Sequence, residues 1–320
     1  MTTNHPDLLT PADDGFHPGD GPFHTEGSWW SFLVPDRGIG GWIYHLTRRN
    51  LGVASGGVWI WDPGTRNCFE APYFLNQSLQ PLGPEARDLN DFRWADGTTL
   101  KTLEPLRRYR LAYEDGDRIA LELEFEGVAE PFVAVAGSPA KPFRFEQLCR
   151  VRGSLALGGE RIAVDCLGMR DHSWGTRLER AASALAAPAP GTDLAQRPVV
   201  YLFGHAAPDH GFFVMGPGLG ALHGYIARGG RRLELASSAQ RIERDPGDGH
   251  IARIEVTARD EGGRELRALG TTVSFILRPS GTGVALVHLV RWEFDGTVGW
   301  GELQDVWPCD LWARYRRAPR

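Results

Sequence analysis

Apolar and polar residues alternate with a period of two in many short segments of this chain. Leu121, Leu123 and Phe125 interleave with Glu122, Glu124 and Glu126. Ile254, Val256 and Ala258 interleave with Glu255, Thr257 and Arg259, and Val273, Phe275 and Leu277 share one parity around Ser274 and Ile276. Successive side chains of a strand point to opposite faces, so this spacing predicts strands with one buried face. Between such segments stand Asp96-Gly97, Asp115-Gly116-Asp117, Gly158-Gly159, Gly229-Gly230, Asp248-Gly249, Gly262-Gly263 and Asp295-Gly296. These pairs supply the positive φ that tight hairpins need. Helical periodicity is nearly absent; the best candidate, 178–187, is rich in Ala and runs into Pro188-Ala189-Pro190-Gly191. Many short strands with few helices predict an all-β fold of two consecutive antiparallel barrel-like domains, since barrels remove exposed edges.

Length divides this pattern. The chain has 320 residues, and a domain takes roughly 150. The clearest composition break is the Ala/Pro stretch 181–198, which reads as a linker or as a loop over a site. The expected organisation is a loosely ordered arm over 1–25 and an N-terminal barrel over 26–183. A linker over 184–197 and a C-terminal barrel over 198–320 follow.

Charge narrows the partners. The net charge is −5, and a nucleic-acid binder would carry a basic excess, so that class is disfavoured. No apolar run is long enough for a membrane-spanning helix, and the first residues lack the basic and apolar regions of a secretion signal. The four cysteines, Cys68, Cys149, Cys166 and Cys309, lie far apart with no CxxC, which indicates neither a disulfide framework nor a zinc knuckle. A cytoplasmic protein is expected. Gly216-Pro217-Gly218-Leu219-Gly220-Ala221 matches G-x-G-x-x-A formally, but it stands between two strand-like segments and not before a helix, so no dinucleotide site is read from it. The ten histidines are scattered with no H-x-H pair. No cofactor and no metal site are expected from these patterns.

The densest chemistry lies at Gly168-Met169-Arg170-Asp171-His172-Ser173-Trp174-Gly175-Thr176-Arg177. On a strand, His172 and Trp174 share one face while Asp171 and Ser173 share the other. Imidazole gives and accepts protons near neutrality, and an indole face stabilises positive charge. Asp171 would orient a histidine or pair with Arg170 or Arg177. The same pattern also fits plain packing and a structural ion-pair network. Further wall candidates occur on matched parities: Trp42 with Tyr44, Trp59 with Trp61, and Tyr201 with Phe203 and His205. Such residues line apolar ligand cavities or simply fill a barrel.

The Arg170-Asp171-His172-Ser173-Trp174-Gly175 core, with Phe145-Glu146-Gln147 and Val151-x-Gly153, resembles bacterial proteins related to the carotenoid 1,2-hydratases (hydroxyneurosporene-synthase-like) and to AttH. Ser28-Trp29-Trp30, Gly40-Gly41-Trp42, Gly224-Tyr225-Ile226 and Trp292-x-Phe294-Asp295-Gly296 agree in order, so the resemblance spans most of 25–307. It implies two lipocalin-like barrels and cofactor-free chemistry on hydrophobic molecules: hydration of isolated double bonds, or guided cyclisation. It implies active-site roles for Asp171, His172 and Trp174; the expected substrate contacts, read from the residues themselves, are Arg170, Tyr201, His205, Trp42, Tyr44, Trp59 and Trp61. The family's later Tyr-x-Asp has its nearest counterpart in Tyr201-Leu202-Phe203, where the acid is absent. The expected function is therefore a lyase or hydratase acting by acid–base chemistry on an isoprenoid or aromatic small molecule, by water addition or loss or retro-aldol cleavage. An isomerase or cyclase and a non-catalytic carrier of hydrophobic ligands stand as alternatives.

Overall fold

Two-residue glycine turns and period-two segments generate long antiparallel ladders. In the hairpins closed by Gly158-Gly159 and Gly229-Gly230 all four glycines have φ between 57° and 85°, and the residues that flank each turn pair directly, Leu157 with Glu160 and Arg228 with Arg231. The computed structural model describes residues 9–83, 87–135, 143–177, 192–216, 222–281 and 283–318. The helix expected at 178–187, most of the 181–198 stretch and most of the Gly216–Ala221 run lie outside the described residues.

The strands of the first half are β1 (His24–Val34), β2 (Ile39–Arg48), β3 (Val53–Trp61), β4 (Tyr73–Phe74), β5 (Gln77–Pro81) and β6 (Asp91–Arg93). They continue with β7 (Thr99–Glu104), β8 (Arg108–Asp115), β9 (Ile119–Gly127), β10 (Phe132–Val135), β11 (Phe143–Leu157) and β12 (Glu160–Thr176). The second half contains β13 (Tyr201–Ala207), β14 (His210–Met215), β15 (His223–Arg228), β16 (Arg231–Arg244), β17 (Ile251–Asp260), β18 (Glu265–Ser280), β19 (Gly283–Phe294) and β20 (Thr297–Pro308). A helix, α1 (Cys309–Arg317), follows. It is short, buries Leu311 and Tyr315 one turn apart, and carries Arg314, Arg316 and Arg317 in its last turn, where they suit the helix dipole. No helix among the described residues is long and apolar enough to cross a membrane. The chain is all-β, and two compact units divide it: Thr3–Trp61 with Ala71–Arg177, and Asp62–Glu70 with Leu178–Arg320.

The first unit is a twelve-stranded antiparallel sheet in the order β4-β3-β2-β1-β12-β11-β9-β8-β7-β6, with β5 on β3 and β10 on β11. It is strongly curled. β1 and β8 are four positions apart, which in a flat sheet would separate them by about 19 Å. Yet the Trp30 ring on β1 lies 4.9 Å from the Tyr109 ring on β8 and 5.0 Å from Phe125 on β9. Near the sheet's ends, the Tyr73 hydroxyl of β4 lies 2.5 Å from that of Tyr113 on β8. The alternating apolar set of β8 and β9, including Leu111, Leu121 and Leu123, is buried on this concave face.

In the second unit β13 to β20 form a closed barrel in sequence order. One parity of each strand fills it, with Leu202, Phe212, Val214, Ile226, Ile254, Trp292, Phe294 and Leu303 in a single buried cluster. Tyr201, Phe203 and His205 lie on the other parity of β13 and are buried on that opposite face. The Trp292 indole is held between two strands that carry no side chain at the contact. A Cβ at Gly270 would stand 2.6 Å from its ring and 2.9 Å from Ile254, and one at Gly204 would also stand 2.6 Å from the ring. Gly270→Ala is expected to overpack this core and lower the unfolding free energy by about 1–3 kcal/mol. Urea denaturation checks this; a change below about 0.5 kcal/mol, the range of ordinary surface substitutions, would mean that the indole relaxes freely.

Candidate functional site

Register decides which side chains meet on the concave face of the first unit. β1 lies between β2 and β12, with Ser28 opposite both His45 and His172, and Glu26 opposite both Thr47 and Trp174. On the other side of β12, Phe145 pairs with His172 and Phe143 with Trp174. Glu26, Ser28, Trp30, His45, Arg170, His172, Trp174, Phe143, Phe145 and Gln147 therefore share one face.

Three polar groups stand there. In the first, Nε2 of His172 lies 2.7 Å from Oε1 of Glu26, and Nδ1 of His17 lies 2.8 Å from the same oxygen. The backbone N–H of His17 donates to Oε2 of Glu26 at 3.2 Å, and Nε2 of His17 lies 3.1 Å from Oδ1 of Asp13. Glu26 and His172 are each 3% exposed, while the His17 side chain retains 14%, so solvent meets the cluster at the His17 side. Burial disfavours charge on His17, but the hydrogen bonds and charges of Glu26 and Asp13 outweigh it and hold the imidazole above its usual range. Burial likewise disfavours the Glu26 carboxylate, and the imidazoles of His17 and His172 overcome it, holding the acid below its usual range.

An aromatic stack borders this group. The His17 ring lies parallel to the Trp174 indole at 3.4 Å, and Phe143 stacks on Trp174 at 4.5 Å. His172 meets Trp174 edge-on at 5.4 Å and Phe145 edge-on at 5.7 Å. The Trp174 indole is thus stacked against the His17 imidazole within the protein.

The second group is an ion pair. Arg170 donates from Nη2 to Oδ1 of Asp14 at 2.8 Å and from Nε to Gln147 at 2.9 Å. Its guanidinium lies 4.1 Å from the Tyr109 ring centre. Asp14 also accepts from the Tyr109 hydroxyl and the Leu106 N–H. Burial opposes the Asp14 charge, yet Arg170 and these donors keep it below the ordinary carboxylate range. In the third group, His45 Nε2 lies 2.7 Å from Oδ2 of Asp96 and its ring stacks on Trp94 at 4.2 Å.

The residues singled out from sequence divide between two faces and two units. His172, Trp174 and Arg170 are on the concave face. Asp171 is on the reverse face of β12, where it pairs with Nη2 of Arg144 at 2.5 Å; its Oδ1 is buried with no hydrogen-bond partner among the described residues. Trp42, Tyr44 and Trp59 share that reverse face with Trp61. There Trp42 contacts Trp29 at 5.2 Å, Trp59 at 5.5 Å and Trp61 at 6.3 Å, and Tyr44 contacts Trp59 at 5.9 Å. The carboxylate on His172 is thus Glu26. Tyr201 and His205 belong to the second unit; His205 Nε2 lies 3.3 Å from the Tyr225 hydroxyl, and burial lowers the His205 pKa to about 3. A groove of about 510 Å³ lined by Arg110, Glu122, Glu124, Arg152 and Arg161 is separate from all of these residues.

Asp13, Asp14, His17 and Glu26 carry no recognised motif. The available signal was an acid of the Trp30 parity in β1, a strand that is otherwise apolar or small at nearly every position. Asp13, Asp14 and His17 come from the segment before β1, which the alternation pattern does not cover.

The curled sheet, the eight-stranded barrel and the order of the strands define an all-β chain of AttH-like fold. An AttH-like protein from Nitrosomonas europaea superposes with a TM-score of 0.61 at 14% identity, covering 94% of this chain and 96% of that one. Kievitone hydratase from Nectria haematococca gives 0.52 at 12% identity, covering 91% and 90%. CghA gives 0.56 at 14% identity, covering 90% and 89%. At such identities the likeness concerns the fold alone. The chain belongs to the family described as Domain of unknown function (DUF7064), whose model matches residues 10–308. No curated protein sequence matches it significantly.

Proposed function

We propose that this protein is an enzyme of the lyase or hydratase type that moves protons on a hydrophobic isoprenoid or aromatic small molecule. The observation that carries the reading is the pair of imidazoles, His172 and His17, converging on one carboxylate oxygen of Glu26 beside a partly exposed aromatic lip of Trp174 and Phe143. A carboxylate between two imidazoles fixes their tautomers and ring orientations, as general acid–base chemistry requires. His172 is the proton-transferring group, Glu26 positions it, and Trp174 holds His17 against the cluster. The fold shared with kievitone hydratase supports water addition or loss as the first chemistry to test.

The test is incubation of the purified protein with a panel of isoprenoid alkenes, their tertiary alcohols and prenylated phenolics, with products read by mass spectrometry. Gain or loss of one water is expected, and His172→Gln should lower kcat by about 10²–10⁴-fold. Product of unchanged mass would instead indicate an isomerase or cyclase. Tight binding with no turnover, equal in wild type and His172→Gln, would make the protein a carrier and overturn the reading.

A further inference from the structure

The Glu26 cluster holds more donor atoms than an acid–base pair uses. We infer that His17, Glu26 and His172 form a binding site for a divalent first-row transition metal ion. This goes beyond the preceding reading, because an ion can bind there whether or not the protein turns over a substrate.

The geometry and the donor set both support the site. One ligand atom from each of His17, Glu26 and His172 lies within 4.8 Å of the others. Both imidazole nitrogens stand 2.7–2.8 Å from Oε1 of Glu26. Two ligands held at right angles on an ion at metal–ligand distances of about 2.0–2.1 Å lie about 2.9 Å apart, so a small adjustment admits an ion. Two histidines and a carboxylate are a donor set that suits zinc, iron, cobalt or manganese.

Asp13 then acts through His17. Its contact with Nε2 leaves Nδ1 of His17 facing Glu26, which is the carboxylate–imidazole arrangement that orients metal-bound histidines.

His24 adds an independent observation. Its Nε2 is buried, has no hydrogen-bond partner among the described residues, and lies 3.9 Å from Oε2 of Glu26. An unsatisfied buried nitrogen is costly, so an unused imidazole donor stands beside the same carboxylate. The ring reaches this place because residue 19 is glycine: a Cβ there would stand 2.0 Å from the His24 ring.

An ion held here would supply Lewis acidity and a water of lowered pKa. The imidazoles of His17 and His172 would then act as its ligands.

The experiment uses untagged full-length protein stripped with a chelator and titrated with Co²⁺. One equivalent should bind with a visible d–d absorption, be displaced by Zn²⁺ and raise Tm. Glu26→Gln and His17→Ala should each weaken binding at least about 100-fold, and Asp13→Asn about 10–100-fold; circular dichroism confirms that each variant is folded. Absence of a d–d band overturns the proposal. So does binding that Glu26→Gln and His17→Ala leave unchanged, which would place the ion elsewhere, for example at Asp245, Asp248 and His250. Turnover that survives chelation but is lost in His172→Gln, with no Co²⁺ bound, would retain the acid–base reading and reject the metal. Stoichiometric binding without turnover would do the reverse.

Discussion

Asp14→Ala is expected to lower the unfolding free energy by about 3–5 kcal/mol, because it leaves the Arg170 guanidinium buried without its counter-charge. Arg170 is 2% exposed and Asp14 4%, so water cannot replace the lost carboxylate. Gln147 and the faces of Trp30, Tyr109 and Phe145 remain, but none of them carries negative charge. The same substitution removes the acceptor of the Tyr109 hydroxyl. Arg170→Met combined with Asp14→Ala should recover a large part of the loss, since a buried pair replaced by apolar groups is often near neutral. Urea denaturation of the two single variants and the double variant measures this. Additive single and double effects, or a loss under about 1 kcal/mol for Asp14→Ala, would show that the pair is solvated in the folded protein.

Acid should destabilise the second unit through two histidines that fold in the neutral state. Burial lowers His205 and His288 to about 3, whereas an unfolded histidine titrates near 6.5. Between those values the unfolded chain carries a proton that the folded chain refuses. The stabilisation is therefore complete above the unfolded pKa and is lost as pH falls. By linkage the two groups together remove about 4 kcal/mol between pH 7 and pH 5. Asp14, held below its ordinary range, acts in the same direction at lower pH. His17, held above its usual range, acts in the opposite direction: its contribution is present at low pH and fades as pH rises through its folded value. The informative comparison is consequently His288→Gln against wild type. The variant keeps a side-chain acceptor for the Ile251 N–H, which His288 Nε2 accepts at 3.2 Å. Its unfolding free energy should fall about half as steeply between pH 7 and pH 5 as a result of losing one of the two groups. Parallel profiles for the two proteins would mean that His288 is protonated in the folded state.

The period-two pattern specified much of this architecture in advance. It placed the strands and their turns, and it put His172 and Trp174 on one face of β12 with Asp171 and Ser173 on the other, because a strand fixes the direction of each side chain locally. It was weakest where local rules are weak. β18 carries a register shift between Thr272 and Ser274, which interrupts the alternation read through Val273, Phe275 and Leu277. Parity groups Trp42 with Tyr44 and Trp59 with Trp61, but parity alone does not say which face a group shares with which polar residue.

That assignment came from contacts between distant parts of the chain. Glu26 and His172 are 146 positions apart and meet because β1 and β12 are hydrogen-bonded in the register that sets Glu26 opposite Trp174. A slip of one residue would send Glu26 to the reverse face with Asp171. His17, Asp13 and Asp14 reach the site from a segment with no periodicity, drawn in by the buried charges they satisfy. The alternation of the chain thus determined which way each strand residue points. The pairing of β1 with β12 in one register, a long-range event that no local pattern encodes, decided that the imidazole of His172 would meet Glu26.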